Sequence, residues 1–232
     1  MLVAGAPDPA NSYRHADGMV RLLAIVLVPL ALQGPAADPG FAGFAMKLPA
    51  PMREQLRDGF WRPGCPVPLS DLRLLTVRHY GWDGKVTTGQ LVVNKAFAQP
   101  LVGVFGRLYE LKFPIRHMRF ADVYGPGPEP RDTSGSFHCR PPAASPCPGS
   151  KPRSSWSMHA YGLAVDLNPR ENPYVGCGAS YHADARPYID RTPLRKGMVT
   201  PAVVSAFRAI GWGWGGDWTG VKDWMHFSAT GH

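Results

Sequence analysis

Hydrophobic positions along the first half of the chain fall into short runs that are separated by polar turns. Leu72 to Tyr80 and Val86 to Val93 are both strand-like, being rich in apolar and β-branched residues, and the sequence GWDG lies between them. Glycine and aspartate in a short connection favour a tight turn. The pattern therefore predicts a β-hairpin over these residues.

The hydrophobic spacing changes to a helical period after the hairpin. Apolar residues recur at helical intervals between residues 95 and 112, which predicts an amphipathic helix packed on the sheet, with Asn94 as its N-cap. A second helix is predicted over Pro201 to Ile210, because proline favours the first turn and Gly211 follows its end. A short peripheral helix is predicted over residues 51–59, after a Gly-, Ala- and Pro-rich linker at residues 33–50.

The remaining segments indicate an α+β fold. FPIRHMRF, residues 113–120, is a further strand candidate, and the closing stretch from Gly211 to Ser228 returns to a strand. Two long loops rich in proline and glycine separate these elements, at Gly125 to Arg153 and at Asn168 to Gly197. The order of elements predicts one domain at residues 60–232 with a central antiparallel sheet flanked by helices, preceded by a linker and short helix at residues 38–59.

The N-terminus has the layout of a secretory signal. An apolar run from Leu22 to Leu32 follows Arg14 and Arg21 and precedes small residues, which predicts a signal peptide at residues 1–37. The run is too short to cross a bilayer, which takes about 20 apolar residues. A buried N-terminal helix is the alternative, and translation could start at Met1 or Met19. Export would place the protein outside the cell or in a bacterial cell envelope.

Cysteine content and charge agree with export. An even set of cysteines in an oxidising compartment predicts two disulfides, and no pair has the CxxC spacing of a thiolate zinc site. Three pairings are possible; we expect Cys65–Cys139 with Cys147–Cys177, because the second would tie the two long loops together. The formal net charge of +8 suits a polyanion. No nucleic-acid module is recognisable, so an anionic cell-wall polymer is the expected partner, unless the charge serves only solubility.

A histidine and an aspartate flank a glycine in SSWSMHAYGLAVDLNP. His159 and Asp166 are seven residues apart. On a helix that spacing separates the two side chains by about 10 Å along the axis, and on a strand it places them on opposite faces, so in neither element could both bind one ion. A turn is therefore required between them, and Gly162 is placed to make it. KDWMHF supplies His226 as a third ligand and leaves a fourth position open, as in catalytic zinc sites. Asp223, three residues earlier, would face the bound water.

These residues also carry a family resemblance. SMHAYGLAVD resembles the SxHxxGxAxD motif of the M15 zinc peptidases, and DWMHF resembles that family's closing acid-x-x-His. Five further segments extend the likeness to the D-alanyl-D-alanine carboxypeptidase-like branch, which also includes L-alanyl-D-glutamate peptidases. They are GQLVVN, FPIRHMRF, TSGSFHCRP, DLNPRENPYV and GWGWGGDW. The resemblance covers about residues 60–228 and implies a fold like that of the Hedgehog and DD-peptidase domains.

The resemblance implies a role for each site residue. His159, Asp166 and His226 would bind Zn²⁺, Asp223 would be the general base, and Arg140 would be the positive group near the scissile carbonyl or an anchor for a substrate carboxylate. Asp217 in GGDW competes with Asp223 for the role of base, but its glycine-rich setting favours a turn.

The implied activity is hydrolysis of peptidoglycan stem peptides. The enzyme would release terminal D-Ala or cut an internal bond such as L-Ala–D-Glu. The alternative is a zinc-containing cell-wall-binding module without turnover. Three features depart from the family pattern and are expected to border the cleft: Asp132, Ser228 and an inserted Pro-rich run from Pro141 to Arg153.

Overall fold

The structure, a computed structural model, describes residues 39–126, 132–151 and 154–232. The predicted signal peptide and both candidate start positions lie outside the described residues. Within those ranges, no helix has the length and apolar character needed to cross a membrane.

The first sheet confirms the predicted hairpin. Strands β1 (Gly43–Lys47), β2 (Leu72–Tyr80) and β3 (Val86–Asn94) pair antiparallel in the order β1-β2-β3, with Leu75 opposite Leu91. The linker predicted at residues 33–50 is wrong where β1 forms. The hydrophobic pattern of β1 was weak because β1 is an edge strand, and such a strand can bury little apolar surface. Phe44 and Met46 in this strand are exposed.

Three of the helices confirm predicted elements with shifted ends, whereas the helix at Phe120–Tyr124 was not predicted. Helices α1 (Ala50–Arg57), α2 (Ala98–Glu110), α3 (Phe120–Tyr124) and α4 (Pro201–Arg208) are described, and α2 packs on β1 and β2. Thr200 caps α4, accepting a hydrogen bond from the amide of Val203.

The predicted N-cap of α2 is wrong. Phe97 occupies that position without a side-chain hydrogen bond. Asn94 instead ends β3. There its side-chain nitrogen Nδ2 donates to the carbonyl oxygen of Tyr161 at 2.9 Å, and its side-chain oxygen accepts from the backbone amide of Ala96 at 3.0 Å. Asparagine is favoured both at helix N-caps and in turns, so the residue type alone could not distinguish an N-cap of α2 from a turn after β3.

The strand predicted at residues 113–120 is also wrong. This segment is irregular, with an isolated bridge between Pro114 and Tyr80 and a hydrogen bond of 2.9 Å from the amide of Ile115 to the carbonyl of Tyr80. Pro114 has no N–H to donate, so a continuous ladder is interrupted there, and α3 begins at Phe120.

The second half of the chain adds two further sheets. Strands β4 (Ala164–Asp166), β5 (Tyr174–Gly176), β6 (Ala179–Ser180), β7 (Gly213–Trp214), β8 (Lys222–Asp223) and β9 (His226–Ser228) form antiparallel sheets ordered β4-β9-β7 and β6-β5-β8. Short 3-10 helices lie at Leu69–Asp71, Met158–Tyr161, Ala183–Tyr188 and Gly215–Asp217. The α+β class is therefore confirmed, but the strands of the described residues form three small sheets and not one central sheet.

The main hydrophobic core joins the first sheet to the strands of the second. Val165 of β4 and Phe227 of β9 are fully buried in the cluster that includes Phe105 of α2. The Phe227 ring stacks on that of Phe207 in α4, with centroids 3.9 Å apart. Strands β4 and β9 are therefore held firmly where they carry polar side chains into the site.

Both disulfides have the expected pairing. Cys65 is bonded to Cys139, and Cys147 is bonded to Cys177. The second bond joins the two long loops, as the sequence argument required.

Candidate metal centre

His159, Asp166 and His226 converge on one point. The candidate ligand atoms of all three lie within 4.8 Å of one another. Asp166 Oδ2 is 3.1 Å from His159 Nε2, Asp166 Oδ1 is 3.1 Å from His226 Nδ1, and the two ring nitrogens are 3.2 Å apart. The structure thus brings together the three residues that the sequence predicted as ligands.

A turn at Gly162 brings His159 towards Asp166. His159 lies in the 3-10 helix Met158–Tyr161, and Gly162 ends that helix with a positive φ of 66° before β4 delivers Asp166. The site is tight as well as left-handed, since a Cβ on Gly162 would lie 2.8 Å from the backbone nitrogen of Asn94. The predicted turn between the two ligands is confirmed.

Gly162→Ala is expected to lower the free energy of unfolding by about 2 kcal/mol or more, because a left-handed backbone costs an L-residue about 1–2 kcal/mol before any clash is added. Gly103→Ala is the matched control, since Gly103 is exposed in α2 with open space around it and should gain about 0.5–1 kcal/mol. Urea unfolding of both variants measures the difference. Equal stability of the two would show that Gly162 does not constrain the turn.

Strand pairing brings the third ligand beside the second. Asp166 in β4 is directly opposite His226 in β9 in the antiparallel register. Side chains directly opposite on neighbouring strands lie on the same face, about 5 Å apart at Cβ. Anchoring of Phe227 in the core therefore also fixes His226.

The hydrogen bond to Ser136 determines which nitrogen of His159 is free. His159 Nδ1 donates to the carbonyl oxygen of Ser136 at 2.5 Å, because a carbonyl can only accept. In the neutral ring Nε2 then carries a lone pair, which faces a carboxylate oxygen of Asp166. Two acceptors 3.1 Å apart repel unless a proton or a cation lies between them.

The donor set fits a zinc ion. Two imidazole nitrogens and one carboxylate with a fourth position open match the donors of catalytic zinc sites, and a carbonyl partner on the far nitrogen is the usual way to orient a ligating histidine. Burial alone would raise the pKa of Asp166, but the charges and hydrogen bonds of His159 and His226 outweigh it and hold that pKa well below its usual range. The carboxyl group of Asp166 is therefore ionised, as a metal ligand must be.

Asp223 has the electrostatic surroundings of a base. It lies in β8, and its Oδ1 is buried without a hydrogen-bond partner among the described residues. Burial and the nearby charge of Asp166 raise the pKa of Asp223 to about 7, against the opposing charges of His226 and Arg140. A general base works best with a pKa near the working pH.

The competing carboxylate is engaged elsewhere. Asp217 is exposed and forms an ion pair with Arg208 at 2.7 Å. It borders the same cleft, but its ion-pair partner among the described residues is Arg208 and not a ligand histidine. The geometry favours Asp223 over Asp217 as the base.

Arg140 lines the cleft that contains the three ligands. The preceding residue, Cys139, is bonded to Cys65, and the carbonyl of Arg140 accepts from the amide of Ser157 at 3.2 Å. These contacts hold the backbone, whereas the hydrogen bond that the guanidinium makes within the described part of the chain is to the carbonyl of Pro141 at 3.2 Å. Most of its donors therefore remain available to a ligand.

The cleft is large enough for a short peptide. Its volume is about 900 Å³, within the range typical of ligand sites. Aromatic side chains contribute part of its lining, namely Trp156, Tyr174, Trp214 and Trp218.

The structure gives a role to Ser136, which the sequence analysis missed. Besides orienting His159, Ser136 donates its hydroxyl to the carbonyl of Ala164 at 2.6 Å, and the neighbouring Gly135 exchanges backbone hydrogen bonds with Asp166. The signal was the segment TSGSF, which the family resemblance includes without a role for its serines. That segment runs beside β4 and positions two of the ligands.

Of the three departures from the family pattern, one borders the cleft. Asp132 lies instead in a buried ion network, 2.8 Å from Arg116, and Ser228 is buried with its hydroxyl donating to the carbonyl of His232. Both expectations were wrong, because these side chains are satisfied inside the protein. Five residues of the Pro-rich run do contribute to the cleft lining, namely Pro142, Ala143, Ser145, Ser150 and Lys151.

Comparison with known proteins gives one family match. A family model described as D-alanyl-D-alanine carboxypeptidase matches residues 150–229. The matched segment contains the three candidate ligands and Asp223, while Arg140 lies before it. No curated protein and no solved structure matches the chain.

Proposed function

We propose that this chain, an M15-family peptidase by its match over residues 150–229, is an exported zinc enzyme that hydrolyses peptidoglycan stem peptides. The observation that carries the proposal is the convergence of His159, Asp166 and His226 in a peptide-sized cleft with the carboxylate of Asp223 beside them. Residues 60–232 would be the catalytic domain and residues 1–37 the export signal. Two disulfides among the described residues are compatible with an extracellular protein.

Zinc bound by the three ligands would supply a Lewis acid and lower the pKa of a bound water towards neutrality. Asp223 would take the proton of the attacking water and deliver it to the leaving amine, which is general base and then general acid catalysis by one group. Arg140 would place a fixed positive charge near the carbonyl oxygen as negative charge develops there.

The family description favours release of terminal D-Ala, and cleavage of an internal bond such as L-Ala–D-Glu is the second specificity that the same site permits. A carboxylate beside the candidate ligands, whose buried Oδ1 has no hydrogen-bond partner among the described residues, favours turnover over a wall-binding role, since a binding module needs no such group. The net charge of +8 would also favour association with anionic wall polymers.

Incubation of the zinc-loaded protein, expressed without residues 1–37, with purified stem peptides tests the proposed function. Mass analysis is expected to show products shorter by one D-Ala, and a chelator followed by zinc should abolish and then restore them. Cleavage at the internal bond would confirm the peptidase and revise its specificity. Unchanged peptides at every zinc concentration would contradict the proposed function.

A further inference from the structure

One wall of the cleft comes from the inserted Pro-rich run. The residues that it contributes to the lining have no role in the proposed mechanism. They are Pro142, Ala143, Ser145, Ser150 and Lys151. We call residues 142–151 the inserted wall.

The inserted wall is attached to the sheet that carries Asp223. Cys147 is bonded to Cys177, which directly follows β5, and β5 pairs with β8, so that Tyr174 is opposite Asp223. A Cβ on Gly176 would lie 3.0 Å from Cys147 Sγ and 3.2 Å from Pro146. The wall therefore packs directly on β5, where a larger residue than glycine would displace it.

Internal hydrogen bonds give the inserted wall a defined shape. The hydroxyl of Ser150 accepts from the amide of Ser145 at 3.0 Å, and the amide of Ser150 donates to the carbonyl of Cys147 at 3.1 Å. The hydroxyl of Tyr181 donates to the carbonyl of Ala144. A loop with these links presents its side chains to the cleft in a fixed arrangement.

Two cationic side chains of the cleft have no ion-pair partner among the described residues, although the lining also contains the carboxylates of Asp166, Asp217 and Asp223. Arg140 and Lys151 are the arginine and lysine side chains of its lining among the described residues, and neither forms an ion pair with a described carboxylate. Asp217, which lines the same cleft, is already paired with Arg208. A ligand that bears a carboxylate could form a charge-assisted hydrogen bond with one of these two side chains.

We propose that the inserted wall is a substrate-recognition element, held in place by the Cys147–Cys177 disulfide, in which Lys151 binds a carboxylate of the peptide. This inference rests on the proposed function and makes it more specific, because it requires an acidic peptide. Arg140 serves the scissile bond, so Lys151 recognises a second group. The carboxylate is either that of the D-Glu residue or the C-terminal one.

The test uses three stem peptides that differ only in charge: one with both carboxylates free, one with the D-Glu carboxylate amidated, and one with the C-terminus amidated. Lys151→Gln is expected to raise KM for the free peptide about threefold to fivefold and to leave kcat within twofold. The effect should vanish for the peptide whose amide replaces the recognised carboxylate, which identifies the source. Persistence of the effect with both amidated peptides, or its absence with the free one, would overturn the proposal.

Control variants separate recognition from folding. Lys151→Arg should restore KM, because it keeps the charge. Lys47→Gln makes the same charge change on exposed β1, away from the cleft lining, and should alter nothing. The double variant Cys147→Ser/Cys177→Ser should keep its zinc but lose discrimination between the free and amidated peptides. Full zinc content with unchanged discrimination would show that the disulfide does not hold the recognition element.

Failure of the proposed function would be distinguishable from failure of this inference. Trp156 and Trp218 line the cleft, so peptide binding can be followed by tryptophan fluorescence without turnover. If the wild-type protein cleaves no peptide, the Kd values of wild type and Lys151→Gln decide the inference. A Kd that Lys151→Gln raises for the free peptide, but not for the peptide whose amide replaces the recognised carboxylate, supports Lys151 as the anchor, and equal Kd values of the two proteins contradict it.

Discussion

Asp223→Asn is expected to abolish measurable turnover of stem peptides while the protein keeps its metal. The amide retains the shape of the carboxylate but cannot take a proton from water, and loss of a general base typically costs about 10²- to 10⁴-fold in rate. Metal should remain because Asp223 is not among the three convergent donors. Steady-state kinetics on a D-Ala-terminated stem peptide, with zinc content measured on the same sample, checks both parts.

Asp217→Asn is the matched control, since it makes the same substitution at the other candidate carboxylate of the cleft. Its kcat should stay within about threefold of wild type, because an exposed ion pair such as Asp217–Arg208 contributes little. The reverse result, with near wild-type turnover in Asp223→Asn and loss in Asp217→Asn, would transfer the role of base to Asp217.

The elements of the fold that could be predicted are those with a strong local signal. The hairpin of β2 and β3 has strand-forming residues on both sides of GWDG, and α4 has a proline at its start and a glycine after its end. The strand predicted between Gly211 and Ser228 is present as the short strands β7, β8 and β9, but neither their division between two small sheets nor strand β1 could be predicted in this way. These strands are two to five residues long and are formed by tertiary pairing, which overrides local preference.

The candidate ligands could be predicted because the sequence combines geometry with residue type. The spacing of His159 and Asp166 requires a turn, and the one glycine between them, Gly162, has the positive φ that such a turn needs. The support from Ser136 could not be predicted in the same way. It acts through a backbone carbonyl, and any residue type carries one.

Removal of a ligand should have a different outcome from removal of the base. His159→Ala is expected to lose both metal and activity, since even the partners that orient metal ligands typically contribute 10- to 100-fold in affinity. The variant should still fold, because the main core is formed by other residues. Far-ultraviolet circular dichroism should match the wild type, and turnover should be undetectable.

His182→Ala serves as the control for His159→Ala, because His182 is an exposed histidine outside the cleft lining. It should keep full activity and metal. A comparable loss in both variants would indicate a general effect of removing histidines and not the loss of a specific ligand.

Zinc content per chain, measured by elemental analysis after extensive dialysis, tests the metal centre most directly. Wild type, Asp223→Asn and His182→Ala are expected to hold one equivalent of zinc, and His159→Ala close to none. A full equivalent in His159→Ala, or no zinc in the wild type after loading, would contradict a zinc site formed by His159, Asp166 and His226.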